Sequence, residues 1–326
     1  MINFEYTRVS SVKAAIDVLA KNPTGGFIAG GTNLVDLMKK GVTAPTRLID
    51  INGLPLKDVK ETPAGLSIGA LAINSDVSEN EIVKKNYPLL ALALKAGASP
   101  QLRNAATVGG NIMQRTRCTY FYDTVMPCNK RQPGSGCGAL QGYNRMHAIF
   151  GANDKCIAVH PSDMCVALAA LNATVSVSGP KGERKILLTD FHRLPGDDPS
   201  KDNTLLKGEL ITGIVIPKNV FTKNIYYLKI RDRASYAFAL VSVAAALELN
   251  SNTIKSARLA MGGVAHRPWR LTEAEKFLVG KTASKENFSN AAELAMRGAK
   301  GYGHNNFKLK MGRVAVVEAL MKAGEQ

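Results

Sequence analysis

Five cysteines give this 326-residue chain its clearest capacity for metal or redox chemistry. They are Cys118, Cys128, Cys137, Cys156 and Cys165. No C-x-x-C pair occurs among them, which is atypical of zinc ribbons and thioredoxin-like sites. An odd number of cysteines, behind an N-terminus unlike a signal peptide, also argues against a disulfide framework. Because the gaps match no general ferredoxin spacing, the pattern alone leaves open whether these thiols hold a metal cluster.

The segment around the first three cysteines gives a reason to consider a cluster. Residues 107–142 are rich in glycine, proline and arginine and show neither helical nor strand periodicity. A loop this long in a compact domain usually needs an external source of order, which metal ligation provides. Thiolates around iron and sulfide leave a negative site. Four basic side chains of the segment could moderate that charge: Arg115, Arg117, Lys130 and Arg131.

A fourth ligand is available just beyond this segment. Cys156 can complete a set whose other members are Cys118, Cys128 and Cys137. Cys165 differs from these because it lies in the apolar run 163–169. A free cysteine in such a run is usually a small buried hydrophobe, and we predict that role for it.

Two glycine pairs suggest a second kind of chemistry, the binding of phosphate. The first is in Ile28-Ala29-Gly30-Gly31-Thr32-Asn33-Leu34, where a strand leads through the glycines into a helix capped by Thr32 or Asn33. The second lies in 103–112 and includes Thr107, Gly109, Gly110 and Asn111. Glycines let the backbone approach a ligand closely, and a helix start offers unpaired N–H groups to phosphate oxygens. Two such bends could hold a pyrophosphate from opposite sides, although each alone also fits an ordinary turn.

The better-known nucleotide signatures are missing. No G-x-G-x-x-G follows a predicted strand, and the segment 280–282, Gly-Lys-Thr, lacks the earlier glycine of a P-loop. These absences argue against a dinucleotide-binding Rossmann domain and against a Walker-type ATPase.

The elements that position these residues suggest two domains. Periodicity predicts helices at 10–20, including a serine cap, at 34–40 and at 88–98, and another after 160–163. Short strands are predicted at 27–29, 47–51, 66–70 and 174–177. The pattern changes near residue 220. Strands are predicted at 225–230, 237–249 and 254–261, and helices fill 272–323. We therefore divide the chain into a domain at 1–220, with a cysteine-rich loop at about 114–156, and an α+β domain at 221–326.

Composition narrows the choice of partners. The net charge of +16 is spread along the chain, without the basic–aromatic alternation of single-strand binders, so we expect no nucleic acid. An anionic cofactor and acidic partner subunits explain this charge better, although a solvated basic surface is a simpler alternative. No apolar run of eighteen residues occurs, and no signal peptide is recognisable, so we expect no membrane insertion and a cytoplasmic chain unless a partner exports it.

Five motifs in a fixed order resemble one known family. They are Ala-Gly-Gly-Thr-Asn-Leu at 29–34, Arg-Asn-x-Ala-Thr-Val-Gly-Gly-Asn at 103–111, Pro-Ser-Asp-Met at 161–164, Lys-Ile-Arg-Asp-Arg-Ala-Ser-Tyr at 229–236 and Met-Gly-Gly-Val-Ala at 261–265. The chain is similar to the FAD-binding subunits of the xanthine dehydrogenase and aldehyde oxidoreductase family. This resemblance implies an α+β fold: a two-lobed FAD domain of the vanillyl-alcohol-oxidase type, followed by a CO-dehydrogenase-flavoprotein C-terminal domain.

The resemblance also implies roles for individual residues. The first bend, at 29–34, and the second bend, at 107–111, would contact the pyrophosphate and ribityl chain of FAD. Asp163 would hydrogen-bond the cofactor, and Lys229 would lie near the isoalloxazine ring. A cation there would stabilise the anionic reduced flavin. Two simpler possibilities stay open: Ser162 and Asp163 could cap a helix that begins near Pro161, and Lys229 could lie on the surface.

The cysteine-rich segment carries a narrower resemblance. The runs 114–123, 128–131 and 133–137 are similar to the flavin subunit of bacterial periplasmic aldehyde oxidoreductases. That branch carries a [4Fe–4S] cluster in its FAD subunit, which implies ligation by Cys118, Cys128, Cys137 and Cys156. It also implies export of the folded complex to the periplasm with a signal on the small subunit.

The function implied by the resemblance is electron transfer. The five histidines are scattered, and none pairs with a serine or cysteine in a recognisable nucleophile motif. In the family, a large molybdenum-cofactor subunit oxidises the aldehyde, and a small subunit with [2Fe–2S] clusters passes electrons to the FAD and on to an external acceptor. The alternatives are a stand-alone flavoprotein oxidoreductase with its own small-molecule substrate, and a non-enzymatic anion- or nucleic-acid-binding protein that exploits the positive charge.

Overall fold

The N-terminal lobe is a small parallel sheet packed against one helix. The computed structural model describes residues 1–325. Its first elements are β1 (Glu5–Arg8), α1 (Val12–Lys21), β2 (Gly26–Ile28), α2 (Leu34–Lys39) and β3 (Arg47–Asp50). The strands pair in the order β1-β3-β2, and all are parallel. Helix α1 begins as predicted, because the Ser11 hydroxyl accepts a hydrogen bond from the Ala14 amide at 3.1 Å.

The second lobe is built on a five-stranded antiparallel sheet. Its strands are β4 (Val59–Thr62), β5 (Gly65–Gly69), β6 (Thr174–Gly179), β7 (Gly182–Leu187) and β8 (Leu210–Pro217), in the order β4-β5-β8-β6-β7. The helices of this lobe are α3 (Asn74–Glu79), α4 (Glu81–Asn86), α5 (Pro88–Ala96), α6 (Pro100–Arg103), α7 (Val108–Ile112), α8 (Thr119–Tyr122), α9 (Asp163–Ala170) and α10 (Leu188–Phe191). Leu66 and Ile68 of β5 are fully buried in the core that α5 and α9 share.

The C-terminal unit is a four-stranded antiparallel sheet enclosed on both faces. It consists of β9 (Ile225–Ile230), β10 (Val241–Asn250), β11 (Thr253–Gly262), β12 (Trp269–Arg270), α11 (Thr272–Leu278), α12 (Lys285–Ala295) and α13 (Phe307–Gly324). Along β10, Val243 and Leu247 face the core formed with these three helices, whereas Ala244 and Ala246 face the core of the second lobe. Burial on both faces explains why this strand reads as a continuous apolar run.

The structure confirms the α+β fold class and most predicted elements. Strand β10 begins at Val241 rather than at 237, because the backbone before it forms a loop in which Tyr236 has a φ of +51°. Helix α5 ends at Ala96, two residues earlier than predicted, and Ala98 has a left-handed φ of +50°. No helix within the described part of the chain is long and apolar enough to cross a membrane.

The cysteine-rich segment is irregular but ordered by its own hydrogen bonds. Between α7 and α9 the one helix among the described residues is α8. Cys128 and Cys137 form an isolated antiparallel bridge. The Asn129 side chain joins two parts of the segment, because its Nδ2 donates to the Lys155 carbonyl at 3.0 Å and its Oδ1 accepts from the Gly136 backbone amide at 2.9 Å. The segment thus folds back on itself and brings distant cysteines together.

Candidate functional site

The first glycine pair forms a bend with free backbone donors. Gly31 has a φ of +70°, a conformation that favours glycine. Within residues 1–325, the N–H groups of Gly30, Gly31 and Thr32 donate to no protein acceptor. These N–H groups precede helix α2, so the bend can receive negatively charged oxygens.

The predicted cap of helix α2 is only partly correct. Asn33 occupies the N-cap position, but its side chain makes no capping hydrogen bond. Its Oδ1 instead accepts from the Arg115 amide at 2.8 Å, 82 residues along the chain. A longer contact of 3.5 Å joins its Nδ2 to the Tyr122 hydroxyl. Asn33 therefore ties the first bend to the start of the cysteine-rich segment, a long-range role that no local pattern could reveal.

The second glycine pair contributes close approach rather than free donors. It lies within the short helix α7, where the Thr107 hydroxyl accepts from the Gly110 amide at 3.2 Å. The Gly109 amide donates to the Ala70 carbonyl at 2.7 Å. A Cβ added to Gly109 would lie 3.0 Å from the Ala70 Cβ, so this glycine packs directly on the neighbouring backbone.

The two bends pack against each other. A Cβ built on Gly30 would lie only 1.9 Å from the Ala105 carbonyl oxygen. Both bends line a single cleft of about 1090 Å³, which we call the diglycine chamber. The predicted residues in its lining are Ala29, Gly30, Gly31, Thr32, Asn33, Leu34, Thr107, Gly109 and Gly110. Ile28 is the exception in the first bend, because it belongs to strand β2 and does not line the chamber.

A second cleft continues from the diglycine chamber. It has a volume of about 780 Å³ and contains Asn111 and Asp163, and we call it the Asp163 chamber. Thr32, Asn33 and Gly110 line both chambers, so the two form one elongated cleft. The Asn111 Oδ1 accepts a hydrogen bond from the Ser162 hydroxyl at 2.6 Å, which joins the second bend to the start of helix α9.

Asp163 lies at the centre of a buried polar network. Lys229 Nζ is 2.8 Å from Asp163 Oδ2, and the Tyr227 hydroxyl donates to Asp163 Oδ1 at 2.8 Å. The two side chains of the ion pair are only 4% and 6% exposed, so Lys229 is not a surface residue. Lys229 lies behind Asp163 and lines neither chamber. Burial and the Asp163 charge raise the pKa of Tyr227 well above its usual value, which keeps its hydroxyl a donor.

The structure shows which residue caps the N-terminus of helix α9. The Ser162 hydroxyl accepts from the Cys165 amide at 3.0 Å, so Ser162 is the cap and the Asp163 carboxylate is left for other contacts. Tyr227 was not identified from the sequence. The available signal was its position two residues before Lys229 on β9, which places both side chains on one face of the strand.

The four predicted cysteine ligands line one small cavity. Cys118, Cys128, Cys137 and Cys156 surround about 270 Å³ of empty space, which we call the cysteine cavity. Burial raises the pKa of Cys118 to about 12, although the backbone amides of Phe121 and Tyr120 act against this effect. Burial likewise raises the pKa of Cys156 to about 11, against the opposing charge of Lys130. Buried thiols with nearby N–H donors can ligate a metal when it replaces their protons.

The cavity is not arranged for a single metal ion. A tetrahedral ion with thiolate bonds near 2.3 Å would hold its sulfurs about 3.8 Å apart. Among residues 1–325, the only set of three or more metal-ligating side chains whose potential ligand atoms all lie within 4.8 Å of one another is His160, Cys165 and His192. The Nε2 atoms of the two histidines lie 3.4 and 2.9 Å from the Ile112 carbonyl oxygen, so hydrogen bonds account for that set. Cys165 is fully buried on α9 and does not line the cysteine cavity.

The basic side chains around the cavity have more partners than we expected. Lys130 is buried, and its Nζ lies 2.6 Å from Asp202, which Arg115 also contacts at 2.5 Å. Arg131 donates to the Tyr120 and Phe121 carbonyls and so holds the backbone. These contacts show that the cations order the segment as well as contributing positive charge.

A buried histidine contacts one of the cysteines. His147 Nε2 lies 3.1 Å from Cys118 Sγ. Burial, and to a smaller extent the charge of Lys308, lowers the pKa of His147 to about 4. Lys308 is itself fully buried, and burial together with Arg145 lowers its pKa to about 7. Sequence reasoning treated the histidines as scattered, because the contact joins residues 29 positions apart in an irregular segment.

A third chamber connects the cysteines with Asp163. It has a volume of about 850 Å³, and we call it the Cys118 chamber. Cys118 lines both this chamber and the cysteine cavity, whereas Asp163 lines both this chamber and the Asp163 chamber. The diglycine bends, Asp163 and the four cysteines therefore line a series of neighbouring cavities that share lining residues.

Two family matches cover almost the whole chain. Residues 2–219 match the FAD binding domain in molybdopterin dehydrogenase, and residues 226–323 match the CO dehydrogenase flavoprotein C-terminal domain. The chain therefore belongs to the family of FAD-binding subunits of molybdenum hydroxylases, and it is an oxidoreductase component, as its motifs predicted.

Individual relatives agree with this family. The aldehyde oxidoreductase FAD-binding subunit PaoB of Escherichia coli (strain K12) is 47% identical over 99% of both chains. The glyceraldehyde dehydrogenase medium chain of Sulfolobus acidocaldarius is 33% identical and covers 85% of this chain and 82% of its own. A solved carbon monoxide dehydrogenase from Hydrogenophaga pseudoflava matches with a TM-score of 0.78 at 26% identity, covering 99% of this chain and 98% of its own.

Proposed function

We propose that this chain is the FAD- and [4Fe–4S]-carrying electron-transfer subunit of a molybdenum-dependent aldehyde oxidoreductase. The similarity to an aldehyde oxidoreductase subunit at 47% identity over 99% of both chains supports the substrate class. The observation that carries the proposal is the joining of the cysteine cavity to the flavin-type cleft, because Cys118 and Asp163 line the same intervening chamber.

The cleft residues suit an elongated dinucleotide. The free amides of Gly30, Gly31 and Thr32 would receive phosphate oxygens, and Gly109 and Gly110 would let the cofactor approach the backbone. Asp163 can accept further hydrogen bonds beyond those from Tyr227 and Lys229, because a carboxylate offers about four acceptor positions. When bound, FAD would take up two electrons singly, as one-electron iron–sulfur carriers deliver them, and would pass them to an acceptor.

The cysteine cavity suits an iron–sulfur cluster better than a single ion. In a cluster each thiolate binds a different iron, so the sulfurs stand further apart than around one metal. The four cysteines line one cavity without forming a tight mononuclear set, and backbone amides of residues 120 and 121 point to Cys118. Such N–H groups tune cluster sulfurs in proteins.

The proposal includes partner subunits. A large molybdenum-cofactor subunit would oxidise the aldehyde, and a small [2Fe–2S] subunit would deliver electrons to this chain, which would pass them to an external acceptor. The relatives named medium chains or medium subunits support an assembly of this kind. Export to the periplasm with a signal-bearing partner remains part of the proposal, and fractionation of cells that express all subunits tests it.

The proposal is tested by measuring flavin, iron and acid-labile sulfide in the complex isolated through this chain. We expect one FAD per chain, together with about four iron and four sulfide more than the [2Fe–2S] partner accounts for. Cys128→Ser should remove those four iron atoms, whereas the matched control Cys165→Ser should keep them, because Cys165 does not line the cavity.

Three results would contradict the proposal. Equal iron loss in the two cysteine variants would show that the ligand set is wrong. A chain that oxidises a substrate without partner subunits would favour the stand-alone flavoprotein. A colourless protein without flavin would favour a non-enzymatic anion- or nucleic-acid-binding protein.

A further inference from the structure

We infer that His147 is a positioning residue that sets the reduction potential of the proposed cluster by donating an Nε2–H hydrogen bond to Cys118 Sγ. The inference rests on the proposed function, because it requires Cys118 to be a cluster ligand. It goes further by assigning a role to a residue outside the ligand set. The observation that supports this inference is the 3.1 Å contact between His147 Nε2 and Cys118 Sγ.

The direction of this hydrogen bond follows from the partners of the ring. Within residues 1–325, His147 Nδ1 is buried and has no hydrogen-bond partner, whereas Nε2 contacts the sulfur. A cysteine that binds a metal is a thiolate and carries no proton to donate. The ring proton therefore belongs on Nε2, where it meets the anionic sulfur.

The backbone that carries the imidazole is held in place independently of the cluster. The His147 carbonyl accepts from Asn305 Nδ2 at 3.2 Å and from Lys308 Nζ at 3.0 Å, and its amide donates to the Asn144 carbonyl at 3.0 Å. Asn305 and Lys308 are both fully buried. A donor fixed by such neighbours acts on the sulfur without reorganising during electron transfer.

Cys118 differs from the other three ligands in two ways. It is the one member of the set whose sulfur contacts a side-chain donor in the described chain. It is also the member that lines the Cys118 chamber, which leads to Asp163. The hydrogen bond therefore acts on the ligand that borders the chamber shared with Asp163.

The expected effect has a definite sign. A reduced cluster carries one more negative charge, so an N–H donor stabilises the reduced form more than the oxidised form. Removing the donor should shift the reduction equilibrium at least tenfold toward the oxidised form, which corresponds to about 59 mV more negative for a one-electron couple. His147→Gln should move the equilibrium less than twofold, because its amide can place a donor near the position of Nε2.

The experiment is a redox titration of the cluster, followed by electron paramagnetic resonance, in the holo complex carrying the native residue, His147→Leu or His147→Gln. Iron and sulfide are measured first. A tenfold shift in His147→Leu with nearly native behaviour in His147→Gln supports the inference. An unchanged potential in His147→Leu with full iron overturns it.

Other outcomes are equally decisive. Iron loss or equal shifts in both variants would overturn the inference by showing that the ring only fills space. Absence of this additional iron from the unaltered complex would overturn the ligand assignment itself. The iron content of the unaltered complex is therefore measured before any variant.

Discussion

The contact between the two glycine bends makes Gly30→Ala a stringent test of the cleft. The new Cβ would lie 1.9 Å from the Ala105 carbonyl oxygen and 2.8 Å from its carbon, whereas ordinary contacts begin near 3.4 Å. Both obstructing atoms are backbone, so no side-chain rotation relieves the overlap. The second bend must retreat by about 1.5 Å, the difference between the observed 1.9 Å and an ordinary 3.4 Å.

This displacement should weaken both the fold and cofactor retention. Overpacking of this kind costs about 1–3 kcal/mol, which lowers the Tm by roughly 5–10 °C at the upper end for a domain of this size. If about 2 kcal/mol of that cost falls on the cofactor-bound geometry, FAD affinity decreases about thirtyfold. The assays are the FAD content of purified protein, the Kd from flavin fluorescence and the Tm.

Gly26→Ala is the matched control for this prediction. It adds the same methyl group in the preceding strand, where the nearest atom is the Pro45 Cβ at 3.7 Å. We expect native FAD content and Tm for the control. The reasoning is refuted if Gly30→Ala retains full flavin and melts within about 2 °C of the control.

Three further predictions address the remaining parts of the site. Gly110→Asp should abolish flavin retention, because it places a side chain and a negative charge where both chambers meet, and normal FAD content would contradict this. Lys229→Met should lower the free energy of unfolding by about 3–5 kcal/mol, because it leaves the buried Asp163 charge unpaired; denaturation of Lys229→Met with and without Asp163→Asn should show partial recovery in the double variant. The pKa of Asp50 is lowered to about 2, since hydrogen bonds from Tyr6, Asn52 and Arg8 outweigh burial. Asp50 therefore stabilises the fold by about 2 kcal/mol above pH 4, and this contribution is lost as the pH falls toward 2. The Tm difference between the native protein and Asp50→Asn should shrink over that range, and a constant difference would contradict the assignment.

Local patterns in the sequence predicted the elements well. The helix at α1, the strands at β3 and β5 and the enclosed strand β10 were all found, because each has a clear cap or hydrophobic period. The glycine pairs and the candidate cysteine set were identified from the residues, and motif resemblance then indicated the family. These signals are short in range or depend on residue identity.

The unpredicted features all depend on long-range contacts. Asn33 bonds a backbone amide 82 residues away instead of capping its helix. Tyr227 meets Asp163 across 64 residues, and His147 reaches Cys118 inside an irregular segment. The Gly109 amide of the second bend is already paired with the Ala70 carbonyl, which only the packed structure can show.

The hydrogen bonds from Asn305 and Lys308 to the His147 carbonyl have a consequence for biosynthesis. Lys308 is added to the growing chain 161 residues after His147, and it holds the carbonyl of His147 from within the core. A nascent chain that has released all four cysteines from the ribosome still lacks this support. Delivery of iron and sulfide to the proposed cluster should therefore be completed only after residue 308 has been added and α13 has packed.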